Sequence, residues 1–342
     1  MSNFKDSPIN QSLLNFNSFK VDVNAKFITQ IHKTEELNKI RNNKNLCNLR
    51  RLIIGEGSNI LLTKNYEGLV INMMNQGISR IKGDRGLNLI KVQAGENWHN
   101  FVKWSLRNRY PGLENLSLIP GSVGAAPIQN IGAYGIELSK FFYSLNAYDF
   151  ESGKIFKFSK KECKFSYRDS IFKYSSHENL IIIDVTFNFP SFWKANINYP
   201  ELTEEIDKMK ISNPNYFDIS NAVISIRKRK LPDPKKIGNV GSFFKNPIVS
   251  KGKTVELLAS YPSIAINSLA DNTYKISAGW LIEKCGWKGK SIGKVSVHNT
   301  HALILKNNGG ASGEEILKFA ENIKYDVKKM FQIDLEIEPK II

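Results

Sequence analysis

The chain has 342 residues, 42% of them hydrophobic and 23% charged, a balance near the globular average that excludes both a disordered chain and a membrane-embedded one. That length suits two or three compact domains, as in a multi-domain enzyme. The formal charge of +16 would fit a nucleic-acid partner, but the lysines are scattered, Arg227-Lys228-Arg229-Lys230 is the densest basic cluster, and no recognised binding motif accompanies it, so no nucleic acid is expected.

Taken in order, residues 1–14 read as a polar lead-in, and Thr34-Glu35-Glu36-Leu37 reads as a capped helix start that opens a small α+β unit. Arg51 to Ile54 reads as a strand running into the turn Gly55-Glu56-Gly57-Ser58-Asn59, with further strands at Leu69 to Ile71 and Leu89 to Val92. Between Asn97 and Arg107, Phe101, Trp104 and Leu106 recur at near-helical spacing. The segment from Gly112 to Leu138 is dense in Gly, Ala, Pro and Asn and has no amphipathic period. A stretch of that kind inside a compact protein is usually disordered or a binding loop, and its apolar content favours binding.

Strands follow at 141–150 and 180–189, and the polar composition of 191–215 places a domain boundary before a fresh pattern through Lys230-Leu231-Pro232-Asp233-Pro234. Ser312 and Glu315 form a capping box ahead of Ile316, Phe319, Ile323, Val327 and Met330, a helical apolar stripe. In the last strand Leu335 and Ile337 should face one side, Glu336 and Glu338 the other.

No apolar run approaches the roughly 20 residues that cross a bilayer, and the first residues lack the features of a signal peptide. The expectation is a cytoplasmic protein without a membrane partner. Cys47, Cys163 and Cys285 form no Cys-x-x-Cys pair, which fits a reducing compartment. The five histidines, His32, His99, His177, His298 and His301, show no metal-ligand spacing, so no metal is expected.

Three segments carry the chemistry. The turn at Gly55 can bring successive backbone N–H groups against an anion such as a pyrophosphate. It lacks the third glycine of the dinucleotide fingerprint, and a plain structural turn reads equally well. The loop from Ile119 to Gly135 offers small residues with Gln129 and Asn130 as amide donors, as a flat heterocycle and its phosphates require. It also reads as a tight buried loop. In Gly238 to Pro247 the hydroxyl of Ser242 lies between a flexible turn and the aromatic pair Phe243-Phe244, either as a reactive group or as a serine satisfied by backbone.

With Tyr167-Arg168-Asp169-Ser170, Lys230 to Pro234 and Ala278-Gly279-Trp280-Leu281-Ile282, these motifs stand in the order found in the UDP-N-acetylenolpyruvoylglucosamine reductases, the MurB family. The chain resembles that family from about Asn15 onward, and its Tyr199 loop is similar to that of the family's longer class. The resemblance implies an α+β fold with a two-lobed FAD-binding domain of the PCMH/vanillyl-alcohol-oxidase type over 15–190, in lobes of about 15–85 and 86–190. A linker with the Tyr loop over 191–215, a C-terminal α+β substrate domain over 216–331, and a strand over 332–342 returning to the active site would follow.

It further implies an enzyme that uses NADPH and non-covalent FAD to reduce the enolpyruvyl ether of a UDP-sugar to UDP-N-acetylmuramate, a step in peptidoglycan precursor synthesis; since no exposed apolar stripe stands out in the sequence, a monomer is expected. NADPH would reduce FAD and leave; the substrate would then take hydride from flavin N5 at its C3 and a proton at its C2. By match to the family motifs, Arg168 polarises the substrate carboxylate, Ser242 donates the proton and Glu338 is the third catalytic group. FAD contacts carry over to Gly55, Gly57, Ser58, Asn59, Ile119, Pro120, Gly121, Ser122, Gly124, Ala125, Gln129, Asn130, Gly132, Ala133, Tyr134 and Arg227, and substrate contacts to Tyr199, Lys230 and Asn246.

Two residues depart from the pattern. Glu56 fills a slot that is glycine in many members, and His301 stands where a glutamine often lies. A flavin oxidase of the same superfold would account for the glycine loops but not for Arg168, Ser242 and Glu338 together, and a basic nucleic-acid binder would account only for the charge.

Overall fold

A computed structural model describes residues 10–82 and 86–342. The described chain packs as two units, the first built mainly from Ala25–Gly57 and Tyr66–Arg229, the second from Ser12–Asn24, Ser58–Asn65 and Lys230–Ile342.

The first unit opens with three parallel strands, Asn24–Ile31, Tyr66–Met73 and Arg51–Ile54, the middle one pairing with both others. Helix α1 (Glu35–Arg41) buries Leu37 and Ile40 in a cluster with Phe27, Leu69 and Ile71. Its expected threonine cap is not made: Thr34 has helical backbone angles, and the Glu36 carboxylate accepts from His32 N at 2.8 Å and Lys33 N at 3.2 Å instead. A carboxylate at that end gains from the helix dipole as well as from the bonds.

A five-stranded antiparallel sheet follows, in the order Ile155–Ser159, Phe142–Asp149, Leu180–Phe189, Asn88–Gln93, Ile78–Ile81. The run Leu180–Phe189 is apolar almost throughout because it serves two cores. Ile181 and Ile183 pack with Leu37 and Tyr148, while Val185, Phe187 and Phe189 pack with Trp98 and Phe101 of α2 (Trp98–Arg107). Strict alternation would keep all five on one face. The register against 142–149 slips between Asn146 and Ala147, whose partners are Asp184 and Ile182, so Ile183 is bulged and parity changes there. In α2, Phe101 and Leu106 are buried as expected together with Trp98, Val102 and Ser105, while Trp104 is only half-buried against the same cluster.

The expected boundary across 191–215 does not coincide with the packing. Helix α4 (Tyr216–Lys230) buries Ile219, Ala222, Val223 and Ile226 against Leu202 and Ile206 of α3 (Pro200–Lys208), so residues through Arg229 belong to the first unit. Arg229 also forks onto Glu205, at 2.9 and 3.2 Å, and Ser225 Oγ donates to the same carboxylate at 2.7 Å.

In the second unit, α5 (Lys251–Ser260), α6 (Ala278–Lys284) and α7 (Gly313–Phe331) accompany two three-stranded antiparallel sheets. The capping box is made in both directions, with Glu315 N donating to Ser312 Oγ at 3.1 Å and Ser312 N donating to Glu315 Oε2 at 2.7 Å. Ile316, Phe319, Ile323 and Val327 are buried as the stripe requires. Met330 is not: it is 52% exposed, because the core at the end of α7 is closed by Phe331 instead.

Gly313 has no room for a side chain, since a Cβ would lie 1.8 Å from Leu62 O. Gly313→Ala should therefore cost about 3 kcal/mol or more through overpacking, against about 1 kcal/mol for Ser312→Ala, which removes only the cap. Thermal denaturation of the two variants checks the order.

The expected strand at Asp334–Glu338 is instead extended backbone. Lys245 N donates to Glu336 O at 2.9 Å and Glu338 N to Phe243 O at 2.9 Å, and the regular strand comes later, Lys340–Ile341, parallel to Ile60–Leu61. The alternation still holds at one position, with Leu335 buried and Glu336 exposed and ion-paired with Lys245.

Candidate functional site

Within the first unit, the Gly55–Gly57 turn and the loop from Ile119 are stitched together. A Cβ on Gly55 would meet Ser122 Oγ at 2.1 Å, and one on Gly124 would meet the Ala94 Cβ at 2.5 Å. Gly57 and Gly121 have φ of 61° and 115°, which L side chains rarely adopt. Glu56, the departure from the family pattern, explains itself here. Its carboxylate accepts from Asn97 Nδ2 at 2.6 Å and from Gly121 N at 3.0 Å, so the acid is a latch between the two loops. The Gly121 amide is thereby committed to the latch. Asn97 also caps α2, accepting from Asn100 N at 2.9 Å, and Val123 N and Gly124 N bond to Glu96 O at 2.8 Å and Ala94 O at 2.9 Å.

Ile119, Pro120, Ala125 and Gln129 lie on this loop between half-buried and exposed, with Ser122 buried at its bend. Asn130, expected as a ligand group, is buried and acts as scaffold: its amide donates to Glu137 Oε2 at 2.9 Å and Ser166 O at 3.1 Å, and its oxygen accepts from Ser139 N at 2.9 Å. Gly132 and Ala133 pair with Glu137 and Ile136 as a short ribbon. Tyr134 has φ 47° and its hydroxyl is bonded to Arg227; burial pushes that phenol up to about 12. Arg227 thus braces two loops, since its Nε donates to Leu118 O at 3.2 Å.

Arg168 stands at the tip of a turn whose ends, Ser166 and Asp169, exchange both backbone bonds at 3.2 Å. Its φ of 55° lies in the left-handed region that L side chains rarely adopt, and its Nη2 donates to Gly132 O at 2.6 Å. Asp169 accepts from the Tyr174 hydroxyl at 2.7 Å. Tyr199, 44% exposed, has its ring edge on Tyr134 at 5.4 Å.

Two residues that sequence reasoning missed hold this region. Asn115 Nδ2 donates to both Tyr134 O and Asn196 O at 2.9 Å, tying the loop that carries Tyr199 to the ribbon. Glu114 accepts from Trp193 Nε1 and Gly112 N, both at 2.6 Å, and burial raises its carboxyl above the usual range. Both sit within the aperiodic segment, where two buried polar residues between Leu113 and Leu116 were the available signal.

The second unit gathers another set. Gly241, φ 74°, turns the chain into Ser242, which is half-buried and bridges to Ile304, and Phe243 N donates to Leu303 O at 2.8 Å. Glu338 N donates to the carbonyl of the residue after Ser242, and the Asn59 amide reaches Glu338 O at 3.5 Å. Ser58 and Asn59 thus lead into the strand Ile60–Leu61 beside the end of the chain. Asn246 Oδ1 accepts from Ala278 N at 2.9 Å, fixing the start of α6, and Lys230 is half-buried at the end of α4. His301 is half-buried, its carbonyl accepting from Ile304 N at 3.1 Å.

The small side chains and left-handed glycines at 55–57 and 119–125 allow a dinucleotide to approach the backbone closely, and the acid in the turn has both oxygens engaged. Residues 25–159 match the family model of an FAD-binding domain, and residues 233–342 match that of the C-terminal domain of UDP-N-acetylenolpyruvoylglucosamine reductase. This defines an FAD-dependent oxidoreductase. The UDP-N-acetylenolpyruvoylglucosamine reductase of Paraburkholderia phymatum is 42% identical over 94% of each chain, and that of Flavobacterium johnsoniae 43% identical over 97% of this chain and 98% of that one. The crystal structure of the corresponding enzyme from Thermus caldophilus shares the fold, with a TM-score of 0.67 over 96% of both chains at 22% identity. The chain belongs to the UDP-N-acetylenolpyruvoylglucosamine reductase family.

Among the described residues no helix is long and apolar enough to cross a membrane, and no group of metal-ligating side chains is found.

Proposed function

We propose that the chain catalyses the NADPH-dependent reduction of UDP-N-acetylglucosamine enolpyruvate to UDP-N-acetylmuramate in the cytoplasm, a step of peptidoglycan precursor biosynthesis. FAD, when bound, accepts the two electrons of NADPH and passes them on to the substrate. The latched pair of glycine loops at 55–57 and 119–125 is the observation that carries the cofactor assignment, and Gly132 to Tyr134, in the same unit, are read as contacts to the same cofactor.

Arg168 binds the substrate carboxylate and stabilises the charge that develops on it. Its guanidinium is aimed by the bond to Gly132 O, so the fork is held before substrate arrives. Ser242 gives its proton to the substrate carbon. A serine hydroxyl is a weak acid, but it needs only to meet a strongly basic enolic carbon at close range. Glu338, whose backbone is bonded to the residue after Ser242, sets the polarity around that hydroxyl. Lys230 and Asn246 serve the diphosphate, and Tyr199 closes over it.

An anaerobic absorbance spectrum tests this reading. The visible flavin band of the purified protein should bleach on adding NADPH and recover on adding the enolpyruvyl UDP-sugar. Bleaching without recovery would overturn the substrate; no flavin band would overturn the whole.

A further inference from the structure

Leu118 immediately precedes the Ile119–Ala125 stretch, and its φ is 59°. That conformation presses a leucine Cβ toward its own carbonyl oxygen, whereas glycine adopts it freely. Both polar groups of the Leu118 backbone are taken by side chains from different helices. Its N–H donates to Nδ1 of His99, in the first turn of α2, at 2.9 Å, and its carbonyl accepts from Arg227 Nε, in α4, at 3.2 Å. Its neighbours are held likewise: Leu116 O accepts from Trp98 Nε1 at 2.9 Å, Ser117 Oγ lies 2.8 Å from Ser220 Oγ, and Trp98 N donates to Gly121 O at 2.9 Å.

Nδ1 of His99 can accept only in the neutral imidazole with its proton on Nε2. Burial, aided by the cations Lys103, Arg227 and Lys228, pushes that histidine down to about 4. The accepting form is therefore the one present at neutral pH.

We propose that His99 is a positioning residue for the flavin cofactor, holding Leu118 in the strained conformation from which the Ile119–Ala125 loop departs, with Arg227 as its counterpart on the carbonyl. The inference rests on the reading of that loop as part of the FAD cradle. His99 itself does no chemistry on substrate. It fixes the backbone at Leu118, and so the direction in which the Ile119–Ala125 loop departs.

The test compares His99→Ala, Leu118→Gly, the double variant and His99→Gln in the full-length protein. Two quantities are read: the FAD dissociation constant, by fluorescence titration after the flavin is stripped, and hydrogen exchange of the amides from 117 to 122. His99→Ala is expected to weaken FAD about tenfold, the scale of one left-handed leucine, and to speed exchange in this segment. Leu118→Gly in that background should restore most of both, because the strain that needed the clamp is gone. His99→Gln, whose amide oxygen can take the same N–H, should stay close to the parent, which separates the lost acceptor from a folding failure. A double variant no better than His99→Ala would overturn the clamp. If glycine repairs exchange while FAD affinity never moves in any variant, the link to the cofactor fails, and the reading of the loop fails with it.

Discussion

Ser242→Ala is expected to bind FAD and be reduced by NADPH at close to the parental rate, while reoxidation by the enolpyruvyl UDP-sugar slows by about 10²–10⁴-fold, the range for loss of a positioned proton donor. The asymmetry is the point of the experiment, because the hydroxyl is needed only when the substrate carbon takes its proton. Ser242 follows the left-handed Gly241, and its backbone is held through Ile304 and Leu303, so removing one oxygen should leave the fold unchanged. Stopped-flow traces of the two half-reactions read the outcome directly. Equal slowing of both would remove Ser242 from the role of proton donor.

Arg168→Lys should lower the substrate half-reaction by about 10²–10³-fold, the scale seen when one preorganised donor to a developing charge is lost. An ammonium keeps the charge but not the planar fork that meets a carboxylate with two parallel bonds. Because Arg168 also donates to Gly132 O, the variant should be checked for FAD affinity. Unchanged affinity with slowed reoxidation places the loss at the substrate. Parental reoxidation would take Arg168 out of the mechanism.

The elements legible in the sequence were those whose physics is local. The α7 stripe, its capping box, the α2 face and the run at 180–189 each announce themselves within a dozen residues. The bulge at Ile183 is not local, since it depends on which partner strand accepts the extra residue. The stripe of α4 is regular, but nothing in it says that its partner is α3 upstream rather than the segment that follows.

The site divides the same way. The glycine turns and Ser242 were visible as composition. The bonds made by Glu56, His99, Glu114 and Asn115 were not, because their partners lie up to 65, 19, 79 and 81 residues away. Residues that hold a loop rather than line it carry no motif of their own. Even Asn130, correctly placed in the loop, is spent on internal bonds.

The second unit draws on three separate stretches of chain, with Phe19, Val21 and Leu61 in one core with Phe243, Ile316 and Ile323, and with Ile60–Leu61 paired to Lys340–Ile341. A ribosome delivers these pieces far apart in time. The first unit can assemble while synthesis is still under way, but Phe19 and Leu61 must wait, apolar and uncovered, until Phe243, Ile316 and Ile323 have been made. Closing so long a loop is slow and leaves sticky surface exposed meanwhile. Nascent chains stalled before Lys340–Ile341 should therefore be the protease-sensitive and aggregation-prone species, and that strand, closing on Ile60–Leu61, is the clasp that ends the vulnerable interval.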